Sequence, residues 1–167
     1  MNGRRVRTAA MCCLFGVCAL SLAPLPATGA QKFQSDEWIT ECDPDPDRGV
    51  PDCSIMVPFW QAQGGQNGSF ALVVMLQTGN IGIVGQPFPV KAVLRVDKNP
   101  PIECRQLRYC VFPSTSALAV VRQLKVGALI LIDVYTEKGA FRFSLTPKGY
   151  QAGIAQIHAW GYHLLTD

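Results

Sequence analysis

The distribution of the seven cysteines constrains the fold more than any other feature of this 167-residue chain. Three of them lie in an apolar segment near the N-terminus, and the other four lie farther along in two closely spaced pairs. These four are Cys42, Cys53, Cys104 and Cys110. Whether they form disulfides depends on the compartment in which the chain folds.

Residues 1–30 have the order of regions that is typical of a secretory signal peptide. Three arginines precede an apolar stretch over residues 9–22, and small residues occupy positions 27–30. The apolar stretch is shorter than the roughly 20 residues that a membrane-spanning helix needs, and Pro24 and Pro26 break its end. The sequence therefore predicts export to the periplasm or cell envelope, with cleavage after Ala30 or, as a second choice, after Gly29. Residues 31–167 are expected to form a single domain.

The four cysteines after residue 30 are even in number, which in an exported chain is typical of disulfides. Four cysteines allow three pairings, and the short separations favour Cys42 with Cys53 and Cys104 with Cys110. The separations exceed the spacing of about two to four residues between paired ligands of a four-thiolate zinc site. The sequence contains no Cys-x-x-Cys motif, which is the pattern typical of thiol–disulfide redox enzymes. The sequence therefore predicts two structural disulfides.

Short runs rich in β-branched and aromatic residues, separated by turn residues, predict a mainly β-protein. Strands are expected at residues 38–42, 53–60, 70–77, 81–84, 90–96, 128–135 and 140–145, with a turn at 64–69. So many short strands need a second layer to bury one face of their sheet. The expected fold is therefore an antiparallel β-sandwich with two short helices.

The two helices are expected in the second half of the chain. The first covers residues 117–125, with Ser114 or Ser116 as its cap and Gly127 as its stop. The second follows Thr146 as its cap, with Pro147 at its first position, and places apolar residues on one face. Large aromatic residues are mostly buried, so the three tryptophans are expected in the core. They are Trp38, Trp60 and Trp160.

The charge balance excludes a case for nucleic-acid binding. Three of the 15 basic residues lie in the predicted signal segment, which leaves 12 basic residues against 12 acidic ones. A neutral domain lacks the electrostatic footprint of a nucleic-acid-binding protein. Six basic residues and three tyrosines could still mark a surface for an anionic envelope component or a partner protein, although a solvated face has the same pattern. They are Arg105, Arg108, Arg122, Lys125, Arg142, Lys148, Tyr109, Tyr135 and Tyr150.

The acidic segment Asp43-x-Asp45-x-Asp47 is the one candidate metal site in the sequence. Alternating carboxylates can supply oxygen ligands to calcium. A helix-loop-helix calcium loop also needs glycine at its sixth position and glutamate at its twelfth, where this chain has Arg48 and Ser54. A solvated turn is therefore favoured, and we expect neither a metal nor a cofactor.

No pattern indicates catalytic chemistry. The two histidines, His158 and His163, are five positions apart, which does not place them on one face of a helix. No Gly-x-Ser-x-Gly context distinguishes a nucleophilic serine. We therefore expect a protein that is not an enzyme, with an unrecognised hydrolase as the least favoured alternative.

Several segments are informative through their order along the chain. They are Trp38–Cys42, Cys53, Val93–Asp97, Cys104, Tyr109-Cys110, Gln123–Gly127 and Phe143–Ala152. In this order they resemble the invasion-associated locus B family of exported bacterial proteins, over essentially the whole mature chain. The chain departs from the family at Tyr109-Cys110, where Gly-Cys is usual, and at Thr146–Lys148, where the family has a shorter segment.

The resemblance implies a periplasmic or envelope-associated β-sandwich, and some members of the family are linked to host-cell entry. It supplies no catalytic residues. We therefore expect an envelope binding module whose rigid loops, at residues 43–52, 61–69 and 97–109, recognise an envelope or host protein. The alternative is a structural or stress-related periplasmic protein.

Overall fold

The computed structural model describes residues 29–44, 51–63, 66–104 and 110–163, which form ten strands and two helices. The predicted signal peptide lies outside the described residues except for its last two positions. The strands are β1 (Gln31–Ser35), β2 (Trp38–Asp43), β3 (Asp52–Gln63), β4 (Gln66–Met75), β5 (Asn80–Gln86), β6 (Pro89–Val96), β7 (Ile102–Cys104), β8 (Cys110–Val111), β9 (Ile130–Thr136) and β10 (Gly139–Leu145). The helices are α1 (Ser114–Val126) and α2 (Lys148–Ala159).

The strands form two antiparallel sheets, which confirms the mainly β, sandwich-like fold. The six-stranded sheet has the order β1-β2-β3-β4-β5-β8, and the four-stranded sheet has the order β10-β9-β6-β7. Alternate residues of each strand point to opposite faces, so one set faces the other sheet. Aromatic rings meet between the sheets: Phe59 lies 4.5 Å from Phe143, and Phe70 lies 5.4 Å from Phe141, between ring centroids.

Two disulfides stabilise this arrangement, one within a single sheet and the other between the two sheets. Cys42 and Cys53 are directly opposite each other in β2 and β3, so their disulfide joins neighbouring strands of one sheet. Cys104 lies in the four-stranded sheet and Cys110 in the six-stranded sheet, so their disulfide links the two layers. All four cysteines are buried. These are the pairings that the short separations favour.

Both helices form near the predicted positions, but their N-termini differ from the prediction. Pro113 occupies the N-cap position of α1, and no side chain caps that helix, so the predicted cap by Ser114 or Ser116 is wrong. The carbonyl of Pro113 instead accepts hydrogen bonds from the next turn. Pro147 rather than Thr146 takes the N-cap position of α2, so the predicted cap by Thr146 is wrong, although the Thr146 hydroxyl accepts a bond from the Lys148 amide at 3.4 Å. The stop of α1 at Gly127 is confirmed.

Helix α2 packs on β1 and β2 so closely that its buried face requires glycine. Gly149 and Gly153 share this face with Tyr150 and Ile157, as the apolar pattern of the helix indicates. A Cβ on Gly149 would overlap the backbone oxygen of Ser35 and the indole of Trp38. The glycine face of α2 therefore lies directly against the turn between β1 and β2. This turn cannot move away from the helix without displacing the Trp38 side chain.

Gly149→Ala is therefore expected to lower the free energy of unfolding by about 1–3 kcal/mol, the usual cost of overpacking. A loss of stability would be informative, because helix propensity alone favours alanine over glycine by about 1 kcal/mol and would predict a gain. Urea unfolding of the purified protein measures the change. The exposed Ala155 of the same helix provides the control, because Ala155→Gly should cost only the propensity difference. A stabilised Gly149→Ala protein would contradict the packing.

Three strands were not predicted, and one predicted turn is mostly strand. β1, β7 and β8 are short and lack the alternating apolar pattern that indicates strands elsewhere. The predicted turn at residues 64–69 is reduced because β3 continues to Gln63 and β4 already begins at Gln66. Residues 64 and 65 lie outside the described part of the chain. The pairing of β3 with β4 thus extends farther into residues 64–69 than the glycine and amide residues of this segment suggest.

Candidate binding surface

Of the three loops that were expected to form one recognition surface, the 61–69 segment lies at the opposite end of the sandwich from the other two. Strand β3 begins at the 43–52 loop and ends at the 61–69 segment, and its 12 residues span about 40 Å. Strand β6 begins beside the 61–69 end and runs toward the 97–109 segment. The 61–69 segment therefore does not share a surface with the described parts of the other two loops. Residues 45–50, 64–65 and 105–109 are outside the described residues.

A different set of connections converges at the end of the sandwich that contains Trp60. The β3–β4 turn lies here, and Gln86 at the end of β5 pairs with Ser69 of β4. Strand β6 begins three residues later, and its first residue, Pro89, pairs with Thr136 at the β9–β10 turn. Connections from both sheets therefore meet at one end, which we call the Trp60 end. It consists of Trp60, Asn67, Ser69, Gln86, Phe88, Glu137 and Lys138.

Two aromatic side chains of the Trp60 end are exposed beside shared cavities. Trp60 is 79% exposed and Phe88 is 54% exposed. A cavity of about 370 Å³ is lined by Phe88, Asn67 and Gln86, among others, and a second of about 420 Å³ is lined by Trp60 and the same two amides. Asn67 and Gln86 thus lie between the two rings. The arrangement offers apolar contact area with central hydrogen-bonding groups, as ligand sites commonly do.

The exposure of Trp60 overturns the expectation that all three tryptophans are core residues. Trp38 is buried as predicted, and Trp160 is half-buried and packs against the core. In β3 the alternation places Phe59 inward, so its neighbour Trp60 must point outward. The residue opposite Trp60 is Ser69, which is too small to cover an indole.

The charge of the Trp60 end is balanced and its β9–β10 turn is held by hydrogen bonds. Glu137 and Lys138 are its two ionisable residues and carry opposite charges. The Thr136 hydroxyl accepts a bond from the Lys138 amide at 3.1 Å and donates to the Gly139 carbonyl at 3.0 Å. A turn fixed in this way has a lower backbone ordering cost on binding.

The basic and tyrosine residues singled out in the sequence do not form one surface. Arg142 is on β10, where its guanidinium donates to Asp133 of β9, and this hydrogen bond raises the pKa of Arg142 above its ordinary value. Tyr150 is fully buried in the core. Arg122 is exposed on helix α1, whereas Arg142 is on a strand. Arg105, Arg108 and Tyr109 lie outside the described residues.

The predicted metal segment and the histidines are placed as follows. Asp43 is exposed at the end of β2, whereas Asp45 and Asp47 are outside the described residues. His158 lies in the last turn of α2, and His163 follows the helix; both are exposed. Within residues 29–44, 51–63, 66–104 and 110–163, no three His, Cys, Asp or Glu side chains cluster as metal ligands would.

The chain matches no protein-family model, no curated protein and no solved structure. Neither helix in the described part of the chain is long and apolar enough to cross a membrane.

Proposed function

We propose that the protein is an exported, non-enzymatic binding module of the bacterial cell envelope, and that the Trp60 end binds an envelope or host protein. The observation that carries the proposal is the exposure of Trp60 and Phe88 on either side of Asn67 and Gln86. Large aromatic side chains are usually buried, and exposed ones around polar groups commonly mark interaction sites.

Export is supported by the signal-like order of residues 1–30 and by the two disulfides. Disulfides persist in oxidising compartments such as the bacterial periplasm and are rare in the cytosol. The resemblance to the invasion-associated locus B family supports the same location. A role in host-cell entry rests on that resemblance alone.

Binding through the Trp60 end is supported by its rigidity as well as its composition. Its connections join strands of both sheets, and hydrogen bonds hold the β9–β10 turn. Tryptophan is one of the residue types enriched among those that dominate binding energy at interfaces. Because Trp60 is already exposed in the free protein, its ring can be covered by a partner without rearrangement of the fold.

Trp60→Ala is expected to weaken binding to the partner by about 30-fold or more, because an interfacial hot-spot residue contributes at least about 2 kcal/mol. The immobilised protein is first used to recover a partner from solubilised envelope extract, and the affinity of the purified partner is then compared between variants. Phe88→Ala should weaken binding in the same direction. Neither change should alter stability by more than about 0.5 kcal/mol, since both side chains are largely exposed.

Val126→Ala is the matched control, because Val126 is 85% exposed but lies at the C-terminal end of α1, away from the Trp60 end. It should bind as the unchanged protein does. A partner that binds equally to Trp60→Ala would show that the site lies elsewhere. If no specific partner is recovered at all, a structural or stress-related role becomes the better account. Turnover in a panel of hydrolase substrates would favour the third candidate, an enzyme.

A further inference from the structure

At the Trp60 end, the outer face of the six-stranded sheet carries an indole beside small polar side chains. Trp60 of β3 is directly opposite Ser69 of β4, and Ser69 is directly opposite Gln86 of β5. Asn67 lies two residues before Ser69 on β4, so the alternation of a strand places it on the same face. All four side chains are exposed. They form what we call the Trp60 patch.

The polar groups of the Trp60 patch are available to a ligand. The amides of Asn67 and Gln86 and the hydroxyl of Ser69 can each donate and accept hydrogen bonds, and the indole N–H of Trp60 can donate. Within the described part of the chain, no side-chain hydrogen bond engages any of the four. A ligand that carries both donors and acceptors can therefore bind here without breaking hydrogen bonds within the protein.

The Trp60 patch is uncharged, and so is the row of side chains beside it. That row, toward the middle of the sheet, consists of Pro58, Ala71 and Val84. Glu137 and Lys138 carry opposite charges and line only the neighbouring cavity of about 370 Å³. Carboxylate and phosphate groups are bound most strongly by cationic side chains, and the Trp60 patch has none. The patch therefore fits an uncharged ligand.

The two cavities of the Trp60 end suit an elongated ligand. Trp60 lines the cavity of about 420 Å³ and Phe88 lines the cavity of about 370 Å³, while Asn67 and Gln86 line both. The strands that carry Trp60 and Gln86 are two spacings apart, or about 10 Å, which is close to the length of a disaccharide. A chain of linked units would thus meet an aromatic ring in each cavity and amides between them.

We propose that the Trp60 end recognises an uncharged oligosaccharide. A pyranose ring has a flat side of C–H groups and a rim of hydroxyls that donate and accept hydrogen bonds. The flat side packs on the indole of Trp60, which is 79% exposed, and the amides of Asn67 and Gln86 pair with the rim. A hydrocarbon ligand would instead leave these amides unpaired on desolvation, at a cost in affinity.

This inference rests on the proposed function, because it takes the Trp60 end as the binding site, and it narrows the chemical group recognised there. The oligosaccharide is either a glycan chain carried by the protein partner or part of a free envelope polysaccharide. Both sources present the same hydroxyl and C–H groups to the Trp60 patch. The experiment therefore has two arms, one for the chemistry and one for the source.

The first arm uses calorimetry to titrate the purified, oxidised protein with uncharged trisaccharides of glucose, mannose, galactose and N-acetylglucosamine, up to millimolar concentration. A sulfated disaccharide is the charged comparison. We expect at least one uncharged trisaccharide to bind. Trp60→Ala should weaken that binding by about 30-fold or more, as for a hot-spot residue, and Trp60→Phe, which keeps a flat ring, should weaken it less. Gln86→Ala should weaken it by about 3- to 10-fold, the usual contribution of one hydrogen bond.

Gln34→Ala is the matched control for Gln86→Ala, because Gln34 is also an exposed glutamine on a strand but lies on β1, four strands away from β5. It should bind as the unchanged protein does, and circular dichroism verifies that every variant is folded. The inference is overturned if no uncharged trisaccharide binds, if only the sulfated sugar binds, or if Trp60→Ala binds as strongly as the control.

The second arm removes the glycans enzymatically from the partner recovered from envelope extract. Loss of its binding would support the inference and place the oligosaccharide on the partner. Trisaccharide binding without any protein partner would support the inference and assign the site to a free polysaccharide, while the protein partner of the proposed function would be lost. A deglycosylated partner that still binds through Trp60, with no trisaccharide bound, would overturn the inference and leave the proposed function intact.

Discussion

Trp38→Ala is expected to lower the free energy of unfolding by about 3–5 kcal/mol, which is a fifth or more of the roughly 5–15 kcal/mol typical of a domain. The indole is 1% exposed and packs edge-on to Tyr150, with ring centroids 5.7 Å apart. Its Nε1–H donates to the Thr146 carbonyl at 2.8 Å, just before α2 begins. One side chain thus joins β2, the end of β10 and α2. Denaturant unfolding followed by circular dichroism measures the loss.

Trp60→Ala is the matched control for this experiment, because it makes the same substitution at a tryptophan that is 79% exposed. It should change stability by no more than about 0.5 kcal/mol. Trp38→Phe separates the two contributions of Trp38: it keeps most of the apolar volume but leaves the Thr146 carbonyl without its donor, at a cost of about 1–3 kcal/mol. Equal losses at positions 38 and 60 would contradict the burial assigned to them.

The two tryptophans also show how far the sequence could predict this structure. The fold class follows from punctuated β-branched runs, which need no tertiary information. In β3, however, inward Phe59 and outward Trp60 are both aromatic, and the flanking residues are apolar on both faces. Such a run reads as a strand buried on both sides. The sequence therefore indicates the strand but hides its exposed face, and with it the Trp60 end.

The separation of the 61–69 segment from the other two predicted recognition loops has a related cause. Glycine and amide residues at positions 64–69 suggest a wide turn that could fold back toward other loops. The chain instead continues the β3–β4 ladder to Gln63 and Gln66, because backbone pairing does not depend on apolar side chains. A strand of 12 residues separates what lies at its two ends. Strand length, rather than loop composition, decides which loops share a surface.

The residues that begin the helices depend on contacts that residue spacing in the sequence does not reveal. Ser114 and Ser116 are suitable capping residues, but the chain enters α1 directly from β8, and Pro113 with its fixed backbone begins the turn. Cys104 and Cys110 were expected to close a short loop, and they do so between two sheets, which spacing alone does not reveal. Local pattern thus predicts which elements form, whereas the layer that each element joins is set by long-range packing.

Removal of both disulfides is expected to leave the chain largely unfolded. On the chain-entropy model, the separations of 11 and 6 residues correspond to about 3 and about 2.4 kcal/mol respectively. The two sites lie in different parts of the fold, so their effects should approximately add, to about 5 kcal/mol. That sum equals the whole stability of a marginal domain. Replacing Cys42 and Cys53 with alanine, Cys104 and Cys110 with alanine, or all four, provides the series for denaturant unfolding.

Each pair replaced alone should leave a folded protein with a lower midpoint, because one disulfide still constrains the unfolded chain. The Cys104–Cys110 pair is the more informative of the two. Its loop is the shorter, so a loss larger than that of the Cys42–Cys53 pair would have to come from the native state, where this disulfide joins the two sheets. A four-alanine protein that unfolds cooperatively at an unchanged midpoint would show that the apolar core alone holds the sandwich. The expected result, collapse of the fold without its disulfides, would mean that the chain reaches its native state only in an oxidising compartment.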